Sequence, residues 1–456
     1  MAPLPWAPGA MHLVPVIAVF TLLLALGVRR RGRPDLYKRG ARVLTGRGAR
    51  RAVRRRRRGA VSGITLAGVP IAAAEECRHF KLIGTTGTGK STAIAALLQG
   101  ALQRGDRAVI ADADGGYATR FYEPRRGDTI LNPFDARSAK WDPFAEVAAV
   151  WDVEQLASGL IPSCEDSSGR EWRGYARTFL SAVMRRCCEQ GRSDARELWR
   201  LLTVAPAAEL RPLVTGTPAQ PFLEPENARM FGSLRAVAAS ATAAFEYVQA
   251  QRARPFSVRR WVHSGSGVLF LPYGATQIAA LRTILATWVR LAIFEAMTRP
   301  GHDQRLWFIV DELDSLGAIE GLKDALARLR KFGGRCVLGF QSVAQVSATY
   351  GASEAQTIVE NCGNTLILRC AGSEHGGTSQ FAARLIGERE VIRRHTARGR
   401  EGLFSRSSRA SVNVSEQHLI ESAVLAAELE QLPDLTGYLK TAAAREWLRV
   451  RFTPAR

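Results

Sequence analysis

Short apolar runs alternate with helical patterns along most of the chain, from about Ile64 onward. The runs are continuous rather than alternating, which is typical of strands buried on both faces of a parallel sheet. Helices between such strands cover the faces of the sheet. The pattern therefore predicts an α/β fold, with strands at Phe80–Ile83, Ala108–Ala111, Thr129–Leu131, Gly267–Pro272, Leu306–Val310, Cys336–Phe340, Thr365–Leu368 and Leu448–Phe452.

The alternation breaks between Trp141 and Pro255, where no convincing strand is found. Since strands resume at Gly267, we predict an all-helical domain inserted into the α/β domain. The predicted helices, separated by proline and glycine turn signals, are Ala145–Leu160, Glu171–Glu189, Ala195–Leu202 and Ala228–Gln251. The predicted domain boundaries are 61–140 and 256–456 for the two parts of the α/β domain and 141–255 for the insertion.

The first 60 residues predict a membrane anchor followed by a basic juxtamembrane segment. No charge occurs before position 29, Met11–Val28 is almost entirely apolar, and arginines follow at once. A secretory signal has its positive charge before the apolar run. The positive-inside rule places the N-terminus outside and the bulk of the chain in the cytoplasm. A buried core helix is the alternative, because the run is short for a span and contains His12 and Pro15.

Two further stretches are basic. Arg50–Arg58 reads RRAVRRRRR. We interpret it as a solvated, disordered or lipid-facing segment, and favour lipid over DNA because it follows the predicted span. Arg393–Ser411 is basic, serine-rich and poor in apolar residues, which predicts a mobile loop or a hairpin at a sheet edge.

The whole chain has 63 Lys and Arg against 42 Asp and Glu, a net charge of +21. This favours a polyanionic partner, either nucleic acid or an acidic membrane, with a merely basic proteome as the alternative.

The segment GTTGTGKS follows the first of the predicted strands and fits the phosphate-binding (Walker A) pattern at every fixed position. The glycines let backbone N–H groups turn toward phosphate oxygens, and the following helix presents its positive end to them. Lys90 is expected to contact the β- and γ-phosphates of ATP, and Ser91 to hold Mg²⁺. A glycine-rich turn before a helix is the alternative. The predicted nucleotide-binding residues are Gly84, Thr85, Thr86, Gly87, Thr88, Gly89, Lys90, Ser91 and Thr92.

A second acidic motif (Walker B) is predicted where the apolar run Leu306–Val310 ends in Asp311 and Glu312. The carboxyl end of such a strand faces the ligand in α/β proteins. We expect Asp311 to orient Mg²⁺ and Glu312 to act as the general base that polarises the attacking water. Many strands end in an acid, so the assignment depends on the phosphate-binding loop upstream.

Three more residues are candidates for the same site. Gln341 ends the next predicted strand and can lie beside Asp311, since parallel strands present their ligand-facing groups at one end. Plain strand capping is the alternative. Arg330 or Arg335 could enter a neighbouring subunit's site as an arginine finger. From spacing alone, a solvated helix end with basic residues favoured by the helix dipole is the better interpretation.

Seven segments together resemble the conjugative coupling proteins of the TraD/TrwB type, the DNA-pumping ATPases of type IV secretion. The resemblance extends from about Tyr37 to Glu390. The phosphate-binding loop is generic, whereas Leu131–Trp141 and Phe340–Ser342 are more particular. The segments are RHFKLIGTTGTGKST, RGDRAVIADADG, TILNPFDARSAKWDPF, PFSVRRWV, LWFIVDEL, RKFGGRCVLGFQSVAQ and IGERE.

The resemblance implies a RecA-like motor domain with an all-helical insertion, which uses ATP and Mg²⁺. It also implies a homo-hexameric ring on the cytoplasmic side of the bacterial inner membrane. DNA, single-stranded and bound to a relaxase, would pass through the ring toward the proteins of a secretion channel. The family's trans-acting arginine falls on Arg330 and its strand-closing glutamine on Gln341. The family usually has two membrane helices, and this sequence shows one.

We therefore predict an ATP-driven DNA translocase that couples a DNA–relaxase substrate to a type IV secretion channel during conjugative transfer. Its DNA contacts should be sequence-tolerant and salt-sensitive. One alternative is a chromosome-partitioning pump for double-stranded DNA. Such pumps usually carry several membrane helices and a winged-helix tail, and neither feature is visible in this sequence. Another is a non-catalytic membrane receptor that binds DNA and uses nucleotide only to assemble. Such a receptor has no need of a general base at Glu312.

Overall fold

The computed structural model describes residues 35–58, 63–164, 166–192, 194–298, 305–374, 376–399 and 411–453. These residues divide into two compact units. The first unit comprises residues 35–41, 387–399 and 411–423 and is an antiparallel sheet of three strands. The second unit comprises the rest and contains a sheet of ten strands.

The described strands, in chain order, are β1 (Leu36–Gly40), β2 (Arg42–Leu44), β3 (Thr65–Leu66), β4 (Val69–Pro70), β5 (Phe80–Ile83), β6 (Arg107–Ala113), β7 (Thr129–Ile130), β8 (Lys140–Trp141), β9 (Pro255–Phe256), β10 (Val268–Tyr273), β11 (Leu306–Val310), β12 (Gly334–Phe340), β13 (Asn364–Ile367), β14 (Glu388–Gly399), β15 (Ser411–Ser422), β16 (Thr436–Lys440) and β17 (Glu446–Arg451). The described α-helices are Gly46–Arg57, Ala73–Glu76, Lys90–Gln103, Gly116–Phe121, Val150–Leu160, Ser167–Glu189, Ala195–Thr203, Ala207–Val214, Ala228–Ala241, Phe245–Ala250, Val258–Ser264, Ile278–Ala296, Leu322–Leu329, Val343–Tyr350, Ala352–Asn361, Gly377–Ile386 and Ala426–Glu430.

Seven neighbouring strands of the large sheet run parallel, in the order β7-β10-β6-β11-β12-β5-β13. β16 pairs antiparallel with β13 and continues the sheet through β17 to β2. All eight predicted strands are present, and the bounds of β5 and β11 are those predicted. Parallel strands end at the same edge of a sheet, so the carboxyl ends of β5, β6, β11 and β12 meet there.

The central strands are buried, as their continuous apolar sequences require. Every residue of β11 is at most 2% exposed. Phe80 on β5 and Trp307 on β11 meet across β12, with ring centroids 5.9 Å apart. Close packing of this kind resists displacement. The strands therefore hold the residues at their carboxyl ends in fixed positions.

The region between β8 and β9 is helical. These two short strands form a parallel ladder that was not predicted, at the point where the helical region begins and ends. Glu146 is buried beside the ladder and accepts hydrogen bonds from Trp141 Nε1 at 2.9 Å and from the backbone N of Val258 at 2.7 Å. Burial raises the pKa of Glu146 to about 6. The predicted helix Ala228–Gln251 is two helices, because the chain turns at residues 242–244.

The arginine-rich stretch is ordered, so the disordered alternative among its three interpretations is wrong, and the favoured lipid-facing role stays a prediction. It forms the helix Gly46–Arg57, called here the arginine helix, which contacts β4 and β17. Ala49 and Ala52 on this helix are 6% and 9% exposed. Residues three apart share one face of a helix. The small apolar face therefore packs inward while most of the arginines remain exposed.

The basic segment Arg393–Ser411 belongs to a hairpin, as one of its two predictions proposed. β14 and β15 pair antiparallel, with Gly399 opposite Ser411. Both strands extend well beyond the predicted segment, from Glu388 and to Ser422. Together with β1, which pairs with β14, they make up the sheet of the first unit.

The predicted membrane span, Met11–Val28, lies outside the described residues. A spanning helix needs about 20 predominantly apolar residues. Among the helices that the structure describes, none combines that length with that apolar character.

Candidate functional site

The phosphate-binding loop joins the end of β5 to the helix Lys90–Gln103. Gly87 and Gly89 have φ angles of 76° and 114°, which glycine adopts without the strain that other residues meet. At Gly84 the constraint is space, since an added Cβ would lie 2.8 Å from Leu368 Cβ. The glycines of the motif are therefore required by the shape of the loop.

Neighbouring segments fix the loop from both sides. The backbone N of Thr85 donates to Arg369 O at 2.9 Å, and Thr88 O accepts from the backbone N of Leu435 at 2.9 Å. Thr88 Oγ1 donates across the loop to Thr85 O at 2.7 Å. Thr92 lies half-buried in the first turn of the helix that follows. A loop held in this way pays little ordering cost when a ligand binds.

Lys90 opens the helix after the loop and is 7% exposed. Its ammonium donates to Gly84 O at 2.6 Å and to Thr85 O at 3.2 Å. Burial lowers the pKa of Lys90, and the charges of Asp311 and Glu312 act in the opposite direction. A buried cation bonded to neutral carbonyls is stabilised further by an anion, so the site favours a phosphate.

Asp311 is the meeting point of three segments. Its Oδ2 accepts hydrogen bonds from Ser91 Oγ and from Tyr117 Oη, each at 2.8 Å. Ser91 comes from the helix after the loop, and Tyr117 from the helix Gly116–Phe121 that follows β6. The structure thus brings together Ser91 and Asp311, the two residues that were predicted to hold Mg²⁺. It also places Tyr117 in contact with Asp311.

Glu312 follows Asp311 and is half-buried. Burial raises its pKa, and the negative charges of Asp314 and Asp311 raise it further. The carboxylate therefore binds a proton more tightly than an ordinary glutamate does. A general base that works near neutral pH needs this property.

Gln341 follows the last residue of β12 and reaches the phosphate-binding loop. Its Oε1 accepts a hydrogen bond from Thr86 Oγ1 at 3.1 Å. The parallel-strand argument placed this side chain at the same edge as Asp311, and the contact with Thr86 shows it at the loop itself. Its role in catalysis stays a prediction.

Arg330 and Arg335 lie near the amino end of β12, at the opposite sheet edge from Asp311. Arg335 is 5% exposed, and its Nε donates to Glu76 Oε2 at 2.8 Å. Breaking a buried ion pair is costly, so Arg335 is unsuited to act as an arginine finger. Arg330 is exposed, and its action on a neighbouring subunit stays a prediction.

Sequence reasoning assigned no role to Asp112 or Tyr117. Asp112, near the end of β6, is fully buried and accepts hydrogen bonds from the backbone N of Tyr117 at 3.1 Å and of Ala118 at 2.6 Å. Burial raises the pKa of Asp112 to about 6. These bonds fix the start of a helix and aim Tyr117 at Asp311. The sequence signal that could have identified Asp112 is its position at the carboxyl end of the apolar run Ala108–Ala111, which parallels the position of Asp311 after Leu306–Val310.

Fold and site together define an α/β protein with a phosphate-binding loop at the carboxyl edge of a parallel sheet. The chain belongs to the family described as type IV secretion-system coupling protein DNA-binding domain, whose model matches residues 63–453. The resemblance to coupling proteins of the TraD/TrwB type is thereby confirmed.

Two relatives show how far the similarity extends. The chain is 30% identical over 435 residues to the coupling protein TraD of Escherichia coli (strain K12). The alignment covers 93% of this chain and 59% of TraD, so the chain spans about three fifths of that relative. Protein VirD4 of Rhizobium rhizogenes is 27% identical over 120 residues, which are 26% of this chain and 17% of VirD4.

Several solved structures with the same fold are forms of the plasmid coupling protein TrwB. The unbound bacterial conjugative coupling protein TrwBΔN70 has a TM-score of 0.81 and 30% identity, and the match covers 93% of this chain and 96% of that chain. TrwB in complex with the ATP analogue ADPNP, and with ADP and Mg²⁺, gives a TM-score of 0.81 at 29% identity with the same coverage. The chain therefore has the TrwB-like α/β fold.

Proposed function

We propose that this protein is an ATP-driven DNA translocase, which couples relaxase-bound, single-stranded DNA to a type IV secretion channel during conjugative transfer. The observation that carries the proposal is the convergence of Lys90, Ser91, Asp311 and Gln341 at one sheet edge. Similarity to TraD supports the transfer function. Similarity to TrwB bound to ADPNP and to ADP with Mg²⁺ supports ATP and Mg²⁺ as cofactors.

The residues present fit a magnesium ion. Hydroxyl and carboxylate oxygens are ligands that Mg²⁺ prefers, and adjacent oxygens of its octahedral shell lie about 3 Å apart. Ser91 Oγ and Asp311 Oδ2 are 2.8 Å apart. When bound, Mg²⁺ supplies positive charge that offsets the charge on phosphate oxygens.

The position of each side chain suggests its role. Lys90 exchanges its carbonyl partners for β- and γ-phosphate oxygens, because a charged acceptor binds the ammonium more strongly than a carbonyl does. The backbone N–H groups of the loop bind the same phosphates. Glu312 takes the proton of the attacking water. Gln341, held at the loop by Thr86, orients that water or contacts the γ-phosphate.

The finer organisation is part of the same proposal. The parallel sheet would be the core of a RecA-like motor formed by residues 61–140 and 256–456, with an all-helical domain inserted at 141–255. Met11–Val28 would anchor the chain in the bacterial inner membrane, with the bulk of it in the cytoplasm. Arg330, exposed at the edge opposite its own nucleotide site, would reach the site of a neighbour in a hexameric ring.

Steady-state ATP hydrolysis by the full chain in an uncharged detergent tests the function. We expect single-stranded DNA to raise the rate well above the rate without DNA, because translocation couples the two. Lys90→Ala measures the background, since it lacks the ammonium that stabilises the phosphates. Duplex DNA of equal length is the second arm. Stimulation by duplex alone would favour the chromosome-partitioning pump, and DNA that binds without changing the rate would refute the translocase.

Tyr117→Phe removes the hydroxyl that donates to Asp311 at 2.8 Å and keeps the ring. Asp311 should then be less firmly oriented. We expect the Mg²⁺ concentration for half-maximal hydrolysis to rise by about tenfold or more, the usual cost of losing a group that positions a metal ligand. A Mg²⁺ titration at saturating ATP measures this shift.

Tyr122→Phe is the matched control for Tyr117→Phe. It removes a hydroxyl from the next turn of the same segment, where the Tyr122 ring packs against Phe270 at 6.1 Å. Its Mg²⁺ requirement should equal that of the unmodified protein. A lower maximal rate in Tyr117→Phe with an unchanged Mg²⁺ midpoint would mean that the tyrosine does not position Asp311.

A further inference from the structure

A groove lined by arginines lies beside the arginine helix, outside the nucleotide site. Its volume is about 780 Å³, which is within the range of roughly 300–1,000 Å³ for small-molecule sites. One wall carries Arg50, Arg54 and Arg57, whose spacing places them on one face of the helix. Arg449 and Arg451 from β17 also line the groove. All five arginines are exposed.

The groove concentrates positive charge for which residues 35–58, 63–164, 166–192, 194–298, 305–374, 376–399 and 411–453 provide no acidic ion-pair partner. Elsewhere on the arginine helix, Arg56 pairs with Glu75 at 3.4 Å, and on the neighbouring strand Arg42 pairs with Glu446 at 3.3 Å. Within the described part of the chain, the groove is lined by no acidic side chain. Like charges that line one groove repel. An anion bound in the groove reduces that repulsion and gains charge-assisted hydrogen bonds.

Apolar side chains line the rest of the groove and narrow the choice of anion. They are Ala49, Val53, Ala67, Val69, Pro433 and Val450, and the lining is completed by Gly46, Gly68 and Thr436. Single-stranded nucleic acid is bound through aromatic platforms on which the bases stack, and the described lining contains no aromatic residue. A phospholipid has both parts that the groove matches, an anionic phosphate for the guanidinium groups and hydrocarbon for the apolar surface.

We propose that this groove binds the headgroup and adjoining chain of an anionic phospholipid. The inference rests on the proposed membrane anchor, because the predicted span ends at Val28 and the arginine helix begins at Gly46, a short distance along the chain. Basic clusters next to the cytoplasmic end of a span bind anionic headgroups. The arginine helix precedes residue 63, where the match to the DNA-binding family domain begins, and the other lining residues lie within that domain.

The test compares two triple variants of the full chain in an uncharged detergent. Phosphatidylglycerol or phosphatidylcholine with identical acyl chains is added, and native mass spectrometry measures the lipid retained. R50Q/R54Q/R57Q removes the groove face. R51Q/R55Q/R58Q is the matched control, which removes the same charge from the next face, whose groove includes Glu446. We expect phosphatidylglycerol to bind the groove variant about 100-fold more weakly, at a factor of about five per arginine, and to bind the control nearly unchanged.

R449Q/R451Q provides a second, independent variant in case the helix variant fails to fold, which loss of its thermal transition would reveal. It should weaken phosphatidylglycerol binding by roughly 25-fold. Equal losses in both triple variants would mean diffuse charge rather than a site, and equal retention of the two lipids would mean apolar contact alone. Loss of single-stranded DNA binding with phosphatidylglycerol retained would assign the groove to nucleic acid. DNA-stimulated ATP hydrolysis, measured on the same samples, reports separately on the translocase.

Discussion

Glu312→Gln is expected to abolish ATP turnover while ATP still binds. Glutamine keeps the shape of the side chain but cannot take a proton from water. We expect kcat to fall by about 10²–10⁴-fold, the usual contribution of a positioned general base. ATP affinity should be retained, because Lys90 and the Ser91–Asp311 pair are untouched. Steady-state hydrolysis and equilibrium binding of a fluorescent ATP analogue measure the two effects separately.

The matched control for Glu312→Gln is Glu354→Gln. Glu354 is also half-buried with a pKa raised by burial, but it lies on the helix Ala352–Asn361. Its variant should hydrolyse ATP normally. If the Glu312→Gln variant still transfers DNA, the protein is a receptor that uses nucleotide only to assemble. That result would refute the hypothesis that it is an ATP-driven motor.

The pH dependence of hydrolysis reports on the same group. Burial and the charges of Asp314 and Asp311 raise the pKa of Glu312 above its ordinary value of 4.5. As pH falls, Glu312 therefore gains its proton, and loses its function as a base, at a higher pH than an exposed glutamate would. The fall of the hydrolysis rate at acid pH should therefore be absent when the residual activity of Glu312→Gln is measured across the same pH range.

The sequence predicted the central sheet well because its strands are buried on both faces. A strand such as β11 has to be apolar throughout, so its bounds can be recognised from its own sequence without knowing which strands lie beside it. β16 is buried as well, but it was missed because of a glycine. It contains Gly437, where an added Cβ would lie 2.4 Å from Ile367 O. Glycine serves close packing there, whereas in a sequence it indicates a turn.

Two features needed the fold before they could be recognised. The arginine helix has apolar residues at the helical spacing of Ala49, Ala52 and Val53, but the surrounding charge indicated a solvated, disordered or lipid-facing segment instead. Tyr117 and Asp311 are 194 positions apart. Their contact depends on β6 and β11 being neighbours, and a sequence pattern predicts strands without giving their order in the sheet. The motif residues were predictable, and the residue that positions one of them was not.

Gly339→Ala is expected to be both less stable and almost inactive. Gly339 lies on β12, and an added Cβ would lie 1.9 Å from Asp311 O. The crowding atom belongs to the backbone, so no side-chain rotation relieves the clash. Forced shifts in a packed core cost about 1–3 kcal/mol, occasionally more, and each kcal/mol lowers Tm by roughly 2–4 °C in a domain of this size class. We expect Tm to fall by about 2–12 °C.

Turnover should suffer more than stability, because the displaced atom belongs to Asp311 itself. The shift moves its carboxylate away from Ser91 and Tyr117, and a misplacement of about 1 Å can cost roughly 10²-fold in rate. Gly232→Ala is the matched control, since its Cβ would meet nothing within 4 Å on the helix Ala228–Ala241. That variant should be as stable or slightly more so. An unchanged Tm and rate in Gly339→Ala would mean that β11 and β12 can separate freely, and that the close approach does not position Asp311.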